Sequence, residues 1–276
     1  MNRLDIGRRT LVVKCLVDGM SLRGTARVTG VARMTIEKLL RDLGAACAAY
    51  QDAILRNLPC KRIQCDEIWS FIGAKAKTVT DELRAKNPNA GDIWTWTAIC
   101  ADTKLCVSFA IGDRSAATAH PFMQDVASRL ARRVQLTTDG HKPYLAAVED
   151  AFGAGVDYAQ LVKIYGSSEP DTRYSPAACL GCVPTPVTGN PDPKHISTSY
   201  VERQNLTMRM QMRRFTRLTN AFSKKLEMHA ASVALHFMHY NFVQIHGTLR
   251  VTPAMAAGVT AKAWEVEDIV GLLAGA

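Results

Sequence analysis

The sequence predicts a mixed α/β sheet behind an all-helical amino-terminal head. Two observations carry this. Apolar residues recur at helical spacing up to about residue 57, and three strand-like runs then precede the first helix of the remainder. Three strands before a helix argue for a mixed sheet rather than a doubly wound parallel one. With 276 residues, 47% of them apolar and 21% charged, the chain can bury a globular core of one large domain plus a smaller one.

The elements follow in order. Leu11, Val12, Cys15 and Leu16 mark a first helix, a second periodic set runs from Leu22 to Leu43, and Pro59 closes the head. Arg62 to Gly73 reads as a strand through Ile63, Ile68, Trp69, Phe71 and Ile72, and a polar loop follows over 75–92. Ile93–Ala101 and Leu105–Ile111 read as strands joined by a turn at Asp102-Thr103-Lys104. A helix over 116–131, a strand over 133–139, a helix over 142–152 and a strand over 156–165 come next. Residues 166–195 hold six prolines and read as irregular. Two helices, Ser199 to about Leu218 and Lys224 to about Val243, finish the pattern. The expected division is a helix-turn-helix domain over 1–58, a sheet domain over 59–246 with an irregular insertion at about 166–196, and a tail over 247–276.

The net charge of +9 suits a polyanionic partner, because each cation placed at a phosphate releases condensed counterions. The opening residues lack an apolar signal core, and no run approaches the roughly 18 apolar residues that a membrane span needs. Eight scattered cysteines, several inside apolar segments, read as reduced thiols rather than a disulfide framework. A cytoplasmic protein with no membrane association is expected.

Residues 22–41 meet the requirements of a helix-turn-helix. Ala26 is small where two helices must approach, Gly30 suits the turn, and Val31, Ile36 and Leu39 supply apolar contacts. The second helix would present Arg33, Met34, Thr35 and Lys38 to a major groove. A helical hairpin with a solvated basic face is the plainer alternative.

Three acids stand out by position. Asp66 lies inside the first strand, Asp139 ends the fourth, and Glu202 opens a helix. Singly, each has an ordinary explanation: Asp66 could pair with Lys61 or Arg62, Asp139 could be a turn acid, and Ser199 with Glu202 has capping-box spacing. Together, two strand acids and a helix acid can hold two divalent cations about 4 Å apart for in-line attack on a phosphodiester. Oxygen ligands favour magnesium or manganese, and zinc is not expected. Cys179 and Cys182 make half a zinc site without a second CxxC, and His236, His239 and His246 lie along an apolar helical stretch that reads as core or surface.

At 100° per residue, Asn205, Arg209 and Arg213 fall within about 60° of Glu202 on one polar stripe. From Arg203 to Lys225 there are seven cations and no acid, a composition suited to gripping phosphates. Asn205, Arg209, Arg213, Arg214, Arg217, Lys224 and Lys225 are therefore candidate DNA contacts.

The sequence resembles bacterial insertion-sequence transposases of the DDE class, most closely the insertion sequence 1 group. The resemblance rests on Cys65-Asp66-Glu67-Ile68-Trp69-Ser70-Phe71, Thr137-Thr138-Asp139-Gly140 and Ser199-Tyr200-Val201-Glu202-Arg203-Gln204-Asn205. It extends through Arg213-Arg214-Phe215, Asn220-Ala221-Phe222-Ser223-Lys224-Lys225, His239-Tyr240-Asn241-Phe242 and Thr252-Pro253. It implies a ribonuclease-H-like core, two magnesium or manganese ions at Asp66, Asp139 and Glu202, and a basic residue seven positions after the glutamate, here Arg209. It also implies cleavage and strand transfer of double-stranded DNA at the element's ends and into a target, by a homodimer or larger synaptic complex. Members often carry a cysteine-rich zinc module ahead of the helix-turn-helix. This sequence opens without one, so end recognition is expected to rest on the helix-turn-helix. The residues themselves leave open a structure-specific nuclease or resolvase on the same core, or a non-catalytic DNA-binding regulator.

Overall fold

The protein is described by a computed structural model covering residues 4–166, 179–216 and 219–274. The head holds α1 (Ile6–Val17), α2 (Leu22–Thr29) and α3 (Arg33–Ile54). Ser21 accepts from the Gly24 amide to start α2, and Gly30, at φ 68°, ends it in the left-handed region that glycine tolerates. Along α3, Ile36, Leu39, Leu40, Leu43 and Cys47 form the buried face.

The sheet begins with β1 (Arg62–Ile72), β2 (Gly91–Cys100) and β3 (Cys106–Gly112), with α4 (Asp81–Lys86) between the first two. Then come α5 (Ala116–Arg129), β4 (Val134–Asp139), α6 (Pro143–Phe152), β5 (Val156–Tyr165) and β6 (Cys179–Thr188). The strands lie in the order β3-β2-β1-β4-β5-β6. β1 runs antiparallel to β2 and parallel to β4, β2 and β3 are antiparallel, β4 and β5 parallel, and β5 and β6 antiparallel. This is the mixed sheet expected from three leading strands.

After the sheet come α7 (Ser199–Gln211), α8 (Leu226–Phe242), α9 (Pro253–Ala256) and α10 (Val266–Gly271). α7 and α8 cover one face of the sheet, where Ile68, Ile99, Met208, Met212, Phe215 and Phe237 cluster. The opposite face, with Cys65, Trp96 and Val107, packs on Phe122 and Met123 of α5 and Tyr144 of α6. The same apolar cluster continues into α3 and α8, so head and sheet share one core. At their crossing, a Cβ on Gly44 would sit 2.4 Å from Ala231 Cα, and only a hydrogen fits there.

Three expectations need correcting. The stretch read as irregular over 166–195 contains β6, which pairs with β5 despite Pro184 and Pro186. β6 is an edge strand, where a missing N–H can face solvent. The polar loop over 75–92 contains α4, capped by Thr80 accepting from the Leu83 amide. The helix expected to run to about Leu218 ends at Gln211, because Met212 turns extended and a short 3-10 turn follows over Arg213–Phe215. Met212 and Phe215 are buried against the sheet, which the break in the helix permits.

Candidate functional site

β1 and β4 pair in register as far as Cys65 and Thr138. The next residue on each strand is an acid, Asp66 and Asp139. Parallel neighbours lie about 4.8 Å apart, so the strands deliver two carboxylates side by side where their hydrogen bonding stops. Glu67, the following residue of β1, joins them: one oxygen each from Asp66, Glu67 and Asp139 lie within 4.8 Å of one another.

These carboxylates are held from several directions. Asp66 Oδ1 accepts from the Glu67 amide at 2.8 Å, and its Oδ2 accepts from Asn205 Nδ2 of α7 at 2.8 Å. Asp139 Oδ1 accepts from the His141 amide at 3.0 Å. Glu67, with a side chain only 1% exposed, accepts from Arg114 Nε at 2.7 Å and Tyr144 Oη at 3.1 Å. Arg114 also reaches Asp139 Oδ2 at 3.5 Å. His141 leans on Trp96 and Tyr144, and its buried Nε2 makes no hydrogen bond but lies 3.9 Å from Glu67 Oε1.

Electrostatics report a site short of positive charge. Burial, then the charges of Asp139 and Glu67, push the Asp66 carboxyl up to about 7. Burial and Asp139 raise Glu67 as well, against the lowering effect of Arg114. Burial and the Arg114 charge lower His141, which favours the neutral ring. The carboxylates repel one another, and Arg114 is the cation placed among them.

Glu202 lies close but is engaged elsewhere. Gln64 Oε1 of β1 accepts from the Tyr200 and Val201 amides at 2.8 and 3.2 Å, which docks the start of α7 beside Asp66. From there Glu202 pairs with Lys163 Nζ of β5 at 2.7 Å and accepts from the Thr198 hydroxyl. The structure thus gathers Asp66 and Asp139, puts Glu67 with them, and leaves Glu202 on the adjoining helix within range of the Asp66 charge. Sequence reasoning missed Glu67. The available signal was an acid at a position facing the apolar α5–α6 layer.

The candidate DNA contacts separate into groups. Arg33, Met34, Thr35 and Lys38 are exposed at the start of α3, where Arg33 pairs with Glu37 at 3.1 Å and Lys38 with Asp42 at 2.5 Å. Asn205 was expected at phosphates, but it is buried and orients Asp66 instead. Its other amide atom, Oδ1, is buried without a partner. Arg209 is half-buried. Arg213 is exposed but lies past the end of α7, so no continuous stripe joins it to Glu202. Arg214 is half-buried, donates to Ser223 Oγ at 3.0 Å, and is lowered to about 10 by burial. Lys224 and Lys225 are exposed, and Arg217 lies outside the described residues. Cys179 and Cys182 are exposed free thiols, His236 is buried beside Gln204, and the other six cysteines are buried. No helix among the described residues is long and apolar enough to cross a membrane.

Fold and site together define a mixed α/β protein with an acidic cluster where the parallel pairing of β1 and β4 stops, roofed by a helix bearing a further glutamate. No protein-family model matches the sequence, and no curated protein does. Among solved structures the chain is similar to a piggyBac transposase in a synaptic complex with hairpin DNA, with a TM-score of 0.42 and 10% identity over 97% of this chain and 69% of that one. It is also similar to the Mos1 strand transfer complex, with a TM-score of 0.23 and 11% identity over 85% of this chain and 77% of that one.

Proposed function

We propose that the chain is a DDE-type transposase of a bacterial insertion sequence, nearest the insertion sequence 1 group, with a ribonuclease-H-like core. The observation that supports this most is the register of β1 and β4, which sets Asp66 beside Asp139 where their pairing stops, with Glu202 on the helix whose start Gln64 docks. The donors are all carboxylate oxygens, which suit magnesium or manganese. Asp66 and Asp139 would hold the ions, with Glu202 completing the set once it leaves Lys163. When bound, two such ions supply Lewis-acid stabilisation for attack at a phosphodiester.

The chain's own residues fill the remaining roles. Asn205 fixes the rotamer of Asp66, and Arg114 ties Glu67 to Asp139, which holds the carboxylates of the cluster together. Tyr144 and His141 close the α5–α6 side against water. The exposed start of α3 would read the element's ends, with Arg33 and Lys38 exchanging their helix partners for phosphates. Handling two ends at once calls for a dimer or larger assembly.

The test is nicking and strand transfer on oligonucleotides bearing the element's end, comparing Asp66→Asn, Asp139→Asn, Glu202→Gln and Glu67→Gln. Loss in the first three, with Glu67→Gln retaining measurable joining, is expected. Near-wild-type activity in any of the first three overturns the assignment.

A further inference from the structure

Along β1, alternate side chains share a face, so Glu67, Trp69 and Phe71 form one row. Beyond Cys65 this strand has lost β4 as a neighbour, and the chain after α7 fills the gap. Ser223 bridges Ile72, its carbonyl accepts from the Gly73 amide at 2.8 Å, and Phe222 is thereby set beside Phe71. The result is an aromatic row, with Trp69 and Phe71 5.6 Å apart and Phe71 and Phe222 4.9 Å apart between ring centroids. All three rings are half-buried, each keeping part of its surface in solvent.

This row floors a cavity of about 510 Å³. Lys75 holds its ammonium 5.7 Å from the Trp69 ring centre, Arg214 enters from the turn after α7, and Asn220 supplies an amide at the rim. Lys224 and Lys225 stand exposed beside Phe222, and no acid lines the cavity among the described residues. Burial lowers the Arg214 guanidinium to about 10, so a partner with negative charge would restore what desolvation takes away.

We infer that this groove binds unpaired nucleotides of a nucleic-acid strand, stacking their bases on Trp69, Phe71 and Phe222 while Lys75 and Arg214 meet the phosphates. Aromatic faces alternating with cations suit a chain that is planar and anionic at every repeat. A closed duplex hides its base faces inside the stack and offers only phosphates and groove edges. An acidic peptide would answer the cations and leave the rings unused. The groove also starts two residues along β1 from Glu67, roughly 7 Å at the rise of a strand. A strand whose end frays into it therefore has its backbone beside the acidic cluster. This assignment rests on the proposed nucleic-acid chemistry for its meaning but not for its test.

The test uses the full chain in EDTA with three probes: a blunt duplex, the same duplex with a four-nucleotide overhang containing 2-aminopurine, and the overhang strand alone. Tighter binding of the overhang form with quenched 2-aminopurine emission is expected. Trp69→Ala and Phe222→Ala should each lower the overhang-to-blunt affinity ratio by roughly fivefold to a hundredfold, the range for loss of one stacking platform. Phe222→Ala lies in a loop and tests the idea even where the strand variant folds poorly. Lys75→Ala should weaken overhang binding and flatten its salt dependence. Equal affinity for blunt and overhang forms, no quenching, or quenching that ignores both aromatic variants overturns the assignment. Should overhang binding follow Trp69 and Phe222 while no cleavage occurs with any divalent metal, the groove stands and the transposase reading falls. Asp66-dependent nicking together with indifference to the aromatic variants gives the reverse.

Discussion

Replacing Asp66 with asparagine should stabilise the metal-free protein at alkaline pH. The Asp66 carboxyl is raised from 3.8 to about 7, chiefly by burial and then by Asp139 and Glu67. A carboxyl raised in the folded state binds its proton more tightly there than in the unfolded chain. Its ionisation therefore costs stability as pH rises from about 4, and the full cost is present above about 7. A shift of about three units at 1.36 kcal/mol each gives a ceiling near 4 kcal/mol. Halved for neighbours that relax, about 2 kcal/mol remains, or roughly 4–8 °C in Tm for a chain of this size. The introduced amide keeps an oxygen for the Glu67 N–H, and Asn205 can flip to offer the Oδ1 that is now buried without a partner. The assay is thermal unfolding of wild type and Asp66→Asn in EDTA at pH 5 and pH 8. The stabilisation should grow between those values. A variant equally or less stable than wild type at pH 8, or a difference that does not change with pH, refutes the account of a repelling, cation-seeking cluster.

Further outcomes follow from the same geometry. Manganese affinity measured by calorimetry should fall about tenfold per pH unit below about 7, because Asp66 must lose its proton to bind, and Asp139→Asn should abolish the heat signal. Lys163→Met should lower the manganese concentration needed for half-maximal cleavage severalfold, since it frees Glu202 from a 2.7 Å ion pair; an unchanged metal requirement argues that Glu202 stays out of the ion set. Gly44→Ala should destabilise by about 1–3 kcal/mol in urea despite alanine's better helix propensity, because the new methyl meets Ala231 at 2.4 Å.

Among the described residues, five of the six strands were legible as apolar runs bounded by turn residues, and most long helices by the helical spacing of their apolar residues. β1 alternates in burial from Glu67 to Ile72, and α3 repeats its apolar face at helical spacing. What failed to show had its cause at a distance. β6 carries prolines that local reasoning treats as breakers, and only its edge position makes them harmless. The end of α7 is set by Met212 and Phe215 turning into the cluster around Ile68. At the site, Asp66 and Asp139 were readable as acids at odd places in strands, and the sheet puts them together. Glu67 was hidden because its environment is Arg114, Tyr144 and His141, which arrive from the β3–α5 connection, from α6 and from the turn before α6. Asn205 was misread because helical angles relate residues within α7 without saying which side meets the sheet. Neither the Lys163–Glu202 pair nor the ring row of Trp69, Phe71 and Phe222 has any local signature.

The hydrogen-sized gap where Gly44 meets Ala231 bears on how far apart reading and cutting can take place. Nothing larger than glycine lets α3 lie that tightly along α8, and the connection from α3 to β1 buries Leu55, Leu58 and Cys60 in the same core. On the proposed function, the stretch of helix contacting bases is then a fixed gauge rather than a tethered scout. Adding one base pair between the recognised bases and the scissile bond rotates that bond by about 36° away from the carboxylates. The chain should accordingly tolerate changes of letter within that interval far better than changes in its length.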